Sequence, residues 1–304
     1  MFRLTFVVLL LAVVAPQCLA SPQAAERRVR VAVLDFGETE EGRGAADRVA
    51  ALLGEAGAGP TKIVLVDRGL ARAAARGAGY GGSLNLTLKE ARDLGAAIGC
   101  DFYVTGDAQT LRRSSLSAQD YREAYASVFV VSARTGRLVL WDRPAAEGAT
   151  PEEAEGKLVP ELKARAWDFR VAILRAFEDE EIARRVRAAG DFEEGVEVID
   201  LSTDEDTRAR VDVRDPMPYR RVRPAYPETA ERAGAEATVD AAVEVGADGA
   251  VARVEIVRWA GFGLDDAVTA TVRRLHFRPA TRDGVPVPVR VLMRYNFRKP
   301  MKAK

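Results

Sequence analysis

Histidine is almost absent from this 304-residue chain. The single His276 and the two cysteines, Cys18 and Cys100, leave few ligands for a metal centre and no nucleophile–base pair at a motif spacing. Net charge is missing as well. The 45 Lys+Arg balance 45 Asp+Glu, which argues against a nucleic-acid binder, because phosphate contacts call for a basic excess or a dense basic face. The chain lacks heptads, a collagen-like period and internal repeats. Its longest apolar run, Leu4 to Ala15, falls short of the ~20 residues that span a bilayer. What remains is 48% hydrophobic and 30% charged, a globular composition whose length fits about two domains.

Arg3 precedes that apolar run, and Cys18-Leu19-Ala20-Ser21 follows it with small residues at the two specificity positions. The pattern predicts a secretory signal peptide over residues 1–20, cleaved after Ala20, with export to the periplasm and no stable membrane span afterwards. A lipoprotein alternative would acylate Cys18, where the preceding Gln17 fits poorly. Cleavage leaves Cys100 as the only cysteine, so no internal disulfide forms and the cores must carry stability. Cys100 itself reads as a small buried hydrophobe.

Val-rich runs at 30–36 and 62–67 alternate with helical Ala/Leu/Arg stretches around 44–56 and 68–76, a pattern of parallel crossover units. Thr87 and Glu90 have capping-box spacing for a helix that Gly99 stops, and a strand follows at 101–106. Tyr121 to Val131 and Arg137 to Trp141 read as a hairpin, and a long helix is predicted from Pro151 to Phe177. These elements define a first domain over 28–177. Residues 178–223, a charged helical stretch followed by segregated acids and arginines, read as a charged connector.

The last 80 residues alternate most clearly. A short helix over 228–233 stops at Gly234, strands at 236–245 and 250–259 flank Asp248-Gly249, and a helix runs from Leu264 to Leu275 with Asp265 and Asp266 at its dipole-favoured start. A final strand, Val287 to Phe297, places Val287, Val289, Val291, Met293, Tyr295 and Phe297 on one face and Arg290 and Arg294 on the other.

Several motifs fail on context. Gly77-Ala78-Gly79-Tyr80-Gly81-Gly82 spells the dinucleotide fingerprint but follows a helix instead of a strand. The glycines at 54, 57 and 59 break from the phosphate-loop pattern at Pro60. Asn85-Leu86-Thr87 is a formal glycosylation sequon that reads as a helix cap. No catalytic group, cofactor or metal ligand is predicted.

The motifs of the last 80 residues carry a resemblance. Pro224-x-Tyr226-Pro227, Ala230, Gly234, Asp248-Gly249, Gly261 with Leu264-Asp265, Arg273-Arg274, Phe277-x-Pro279-Ala280 and Gly284-x-Pro286-Val287 resemble the TonB C-terminal domain family. Leu275-His276 departs from it, since the family commonly has a Trp followed by a basic residue there. More loosely, Val31–Phe36, Asp67-Arg68-x-Leu70, Leu94-Gly95, Cys100–Gly106 and Thr135-Gly136 resemble the amino-terminal fold of curli-secretion lipoproteins and TolB. The fold class that follows is α+β, an α/β sandwich-like domain and then, over 224–304, a helix, hairpin, helix and strand. The resemblance implies a periplasmic module that adds an extended segment of an envelope partner, such as an outer-membrane receptor, to the edge of its sheet. The expected contacts are Val287, Val289, Arg290, Val291, Met293, Arg294, Tyr295 and Phe297, with Tyr226 and Pro227 beside them, and Arg290 and Arg294 meeting acids on the partner. A second copy of the chain is the alternative occupant, in an envelope scaffold whose C-terminal domain mediates oligomerisation. Direct coupling to an inner-membrane motor is not expected, because the anchoring helix has no counterpart here.

Overall fold

The computed structural model describes residues 27–55, 61–114, 120–189, 197–202 and 212–299. The signal sequence with Cys18, the broken phosphate loop at 56–60 and the connector pieces 190–196 and 203–211 lie outside the described residues.

The alternating Val runs and helices of the first half build three layers. Strands β1 (Arg27–Val33), β2 (Thr61–Leu65) and β3 (Phe102–Arg113) are parallel, with β1 in the middle. β4 (Tyr121–Ser132) pairs antiparallel along all of β3, and both β5 (Leu138–Asp142) and β6 (Ala145–Gly148) pair with the far side of β4. Because strand side chains alternate, Val29, Val31 and Val33 face α1 (Glu40–Gly54) and α4 (Pro151–Ala189). Ala32 and Leu34 face α2 (Arg68–Gly77) and α3 (Leu88–Ile98) on the other side. Thr39, Asp67 and Thr87 cap the first turns of α1, α2 and α3, and the Thr87/Glu90 capping box forms as its spacing predicts.

Helix α4 runs past the predicted end at Phe177 to Ala189. The added turns consist of strong helix formers, and Glu181 pairs with both Arg134 and Arg184. The first part of the expected connector, helical by its sequence, thus continues this helix.

The C-terminal unit contains α5 (Glu228–Ala233), β9 (Ala237–Val245), β10 (Val251–Arg258) and α6 (Leu264–Val272), and closes with β14 (Val289–Phe297). Its sheet has the order β10-β9-β14-β7, where β7 (Ile199–Asp200) comes from the connector. Two small ladders complete it, β8 (Met217–Pro218) on β11 (Phe277–Arg278) and β12 (Ala280–Arg282) on β13 (Val285–Val287). The predicted single strand from Val287 to Phe297 is thus two strands. Val287 pairs back on Ala280, and Pro288, which has no N–H to donate, separates it from β14. In the Asp248-Gly249 turn Gly249 has φ +80°, and a Cβ there would lie 2.0 Å from the carbonyl oxygen of Phe277, so only glycine fits.

The two units share one core. Trp259, 1% exposed, leaves the end of β10 and packs on Phe129 with ring centroids 5.9 Å apart, while its indole N–H donates to the Gly136 carbonyl at 3.0 Å. Phe262 packs on Trp141 in a tilted arrangement with ring centroids 5.0 Å apart. Asn85 clamps the junction. Its Nδ2 donates to the carbonyls of Thr238 (2.8 Å) and Trp259 (2.6 Å), and its Oδ1 accepts from the Thr238 N–H (3.1 Å). β10 stops pairing at Asp240, so Thr238 has an empty position beside it, and the Asn85 amide fills that position as a further strand residue would. Within the sequon read as a helix cap, Thr87 does the capping as expected, and Asn85 is a structural clamp.

Candidate functional site

β14 is paired on one side along its whole length, Val289 to Phe297 against Val245 to Ala237 of β9. On the other side β7 covers only its start, in parallel, at Val289 and Arg290. The N–H groups of Ile199 and Leu201 donate to the carbonyls of Pro288 (3.1 Å) and Arg290 (2.7 Å). Backbone groups of alternate residues point to the same side of a strand, so those of Leu292, Arg294 and Asn296 face away from β9. Among the described residues they have no strand partner, and this is the open edge. It begins after the covered start of β14 and carries three N–H and three C=O groups.

The side chains divide as their alternation predicts. Val289 (0% exposed) and Phe297 (8%) are buried, and Val291, Met293 and Tyr295 are half-buried against the core formed with α5 and α6. Leu292, 42% exposed, lies on the outer face at the start of the open edge. Arg290 and Arg294 share that outer face, but both already meet acids of this chain. Arg294 Nε and Nη2 donate to Asp240 at 2.7 and 3.0 Å, and Arg290 donates to Glu255 at 2.8 Å. They are therefore not free cations awaiting a partner, and any further acid would join an existing network. Val287 lies off the edge in β13. Tyr226 and Pro227 are supports. Pro227 precedes α5, and the Tyr226 hydroxyl donates to the carbonyl of Ala235 (2.7 Å) while its ring packs on Phe297 at 6.3 Å.

Asp265 holds the loop that joins the units. Its carboxylate accepts from the N–H groups of Ala260 (2.9 Å) and Gly261 (2.8 Å), and burial pushes its pKa up to about 6 against the pull of those two amides. Asp266 points into solvent, so the adjacent acids do not form a catalytic pair. Burial raises the Cys100 thiol to about 12, which keeps it protonated and unreactive at neutral pH. A cleft of about 640 Å³ opens between β5 and β10, bordered by Trp141, Ile256 and Asp265. Arg137 there pairs with Glu255 and Asp265 with backbone amides, while the Trp141 indole N–H has no partner among the described residues. Among the described residues no helix is long and apolar enough to cross a membrane. Asn85, Trp259 and Asp265 are the residues that sequence reasoning missed. The only local signal was the helix start, which accounts for Asp265 but not for its grip on the preceding loop.

The edge strand, the hairpin and the two helices over one sheet face coincide with a known domain. Residues 222–298 match the family model of the Gram-negative bacterial TonB protein C-terminal. The resemblance carried by Tyr226-Pro227, Asp248-Gly249 and Phe277-x-Pro279 is thereby borne out for the TonB C-terminal unit. No curated protein matches the chain. Solved structures with likeness to it include the hypothetical protein CT253 from Chlamydia trachomatis, at 13% identity and TM-score 0.31, covering 47% of this chain and 99% of that one. The PelC dodecamer from Paraburkholderia phytofirmans has 11% identity and TM-score 0.28, covering 45% and 86%. Lipoprotein GNA1162 from Neisseria meningitidis has 13% identity and TM-score 0.28, covering 52% and 99%.

Proposed function

We propose that this chain is a periplasmic binding protein that holds an extended segment of an envelope partner, an outer-membrane receptor or transporter, by adding it as a strand to β14. The observation that carries this reading is the run of unpaired backbone groups at Leu292, Arg294 and Asn296 beside a TonB C-terminal match. Main-chain hydrogen bonds supply the affinity of such docking and alternate side chains its selectivity. The signal sequence read at residues 1–20 supports the compartment. The protein works by docking, with no bond-making step.

The alternation decides which substitution tests it. A proline at Val291 would remove a donor that faces β9 and so damage the sheet itself. Leu292→Pro removes a donor from the open edge instead, while Leu292→Ser keeps it. Binding is measured by fluorescence anisotropy with labelled peptides carrying the periplasmic N-terminal segments of outer-membrane receptors. Leu292→Pro should weaken it about tenfold, the worth of one hydrogen bond, and Leu292→Ser by less than about threefold. Undiminished binding by the proline variant overturns the reading. A concentration-dependent oligomer of the native chain, seen by light scattering and dissolved by Leu292→Pro, assigns the same edge to a second copy instead.

A further inference from the structure

The connector contributes a strand of its own to the edge, and that strand shows what the edge accepts. In the β7 ladder Ile199 lies opposite Val289 and Asp200 opposite Arg290. Ile199 packs on the core face, Asp200 is exposed on the arginine face, and the next residue, Leu201, is 2% exposed within the core. The accepted pattern is therefore apolar, acidic, apolar. Further along β14 the two faces keep the same character. Met293 and Tyr295 continue the apolar row, and Arg294, with 57% of its side chain exposed, continues the arginine row.

The acids of the outer face are shared. Four arginines of this sheet, at 253, 258, 290 and 294, face three acids, at 240, 244 and 255, and the buried Asp240 serves both Arg258 and Arg294. The first domain adds one charge of each sign, Arg137 on Glu255 and Glu90 on Arg258, and Asp200 of β7 balances the sum; Arg294, the arginine beside the open stretch, shares its acid with Arg258 and keeps more than half of its side chain exposed. The connector's own sequence does not continue the pattern, since the next alternate residues after Leu201 are Thr203 and Glu205, neither apolar.

Resting on the strand-addition reading, we propose that β7 is a fixed stop that sets the phase of the captured strand. The partner segment then occupies only Leu292 to Asn296, about five residues or roughly 16 Å. It presents apolar residues beside Met293 and Tyr295 and an acidic residue beside Arg294. Burial of Leu201 and its 2.7 Å bond to Arg290 hold the stop in place.

The test uses the full mature chain, ¹⁵N-labelled, with two blocked peptides, Thr-Val-Asp-Val-Thr and Thr-Val-Lys-Val-Thr. Titration is followed by amide shifts and hydrogen exchange. The Asp peptide should protect the amides of Leu292, Arg294 and Asn296, leave that of Arg290 unchanged, and bind about five- to tenfold tighter than the Lys peptide. Arg294→Gln should erase that preference while Asp240 keeps Arg258. Equal binding of both peptides to the native chain overturns the acidic preference and leaves strand addition standing. Protection that spreads to Arg290, with loss of the Leu201 contact, overturns the stop. Edge amides already protected in the free protein, whether or not dilution releases them, show the edge occupied by the chain or by its copy and overturn the proposal. Failure of strand addition itself is read separately, from receptor peptides that bind the Leu292→Pro variant undiminished.

Discussion

Replacing Asn85 by alanine tests whether the two units are held as one body. The change removes two donated bonds, to the Thr238 and Trp259 carbonyls, and one accepted bond from the Thr238 N–H. Each net bond contributes about 1 kcal/mol, and leaving buried backbone groups unpaired raises the cost of their loss. The expected destabilisation is about 2–4 kcal/mol. The bond from Arg258 to the Asn85 carbonyl belongs to the main chain and survives, which keeps the figure from rising further. Asn85→Asp preserves the acceptor for Thr238 but sets a carboxylate against two carbonyls, so it should be no milder. Urea unfolding followed by tryptophan emission provides the assay. Trp259 and Trp141 flank the junction while Trp167 is 66% exposed, so a Trp167→Phe background makes the emission report the junction. A change below about 0.5 kcal/mol for Asn85→Ala would refute the clamp and leave the units joined by the remaining contacts, those of Trp259 and Phe262 among them.

Two further outcomes follow from the same junction. Trp259→Ala empties the largest fully buried site and should cost about 3–5 kcal/mol, whereas Trp259→Phe, which keeps a ring and leaves the Gly136 carbonyl unpaired, should cost about 1–3 kcal/mol; a loss below about 0.5 kcal/mol for Trp259→Phe in urea denaturation would deny the indole N–H a role. Asp265 has a folded-state pKa raised to about 6, so between pH 4 and 6 the folded chain binds the proton more tightly than the unfolded one and stability falls as pH rises. Relative to Asp265→Asn, the Tm of the native chain should therefore decline across that window and run parallel above pH 7; curves parallel from pH 4 upward would refute the assignment.

Local signals were legible and distant ones were not. The Thr87/Glu90 capping box, the Gly99 and Gly234 stops and the Asp248-Gly249 turn all depend on residues within a few positions of one another, and each forms as its spacing predicts. The alternation in β14 is equally local, and its buried and exposed faces came out correctly. The end of α4 was misplaced because the charge-rich segment after Phe177 looks like a linker by composition, yet its residues favour helix and pair with the β4–β5 turn. The break at Pro288 was written in the sequence and passed over because the alternation continues across it. The ion pairs of Arg290 and Arg294 needed the cross-strand register of β9 and β10, which no single strand reveals.

Which edge of the C-terminal sheet stays open is itself a long-range result. A sheet of order β10-β9-β14-β7 has two outer strands, and alternation alone does not choose between its sides. The first domain chooses. Thr87 bridges to Arg258 at the end of β10, the Trp259 N–H donates to the Leu86 carbonyl, and Asn85 fills the position beside Thr238, contacts that span more than 150 residues of sequence. The end of β10 is thereby held on the first domain, and β7 is too short to cover the other side beyond Arg290. β7 thus leaves the stretch from Leu292 to Asn296 open, and the stop at Leu201 bounds the proposed binding edge although that residue does not belong to it.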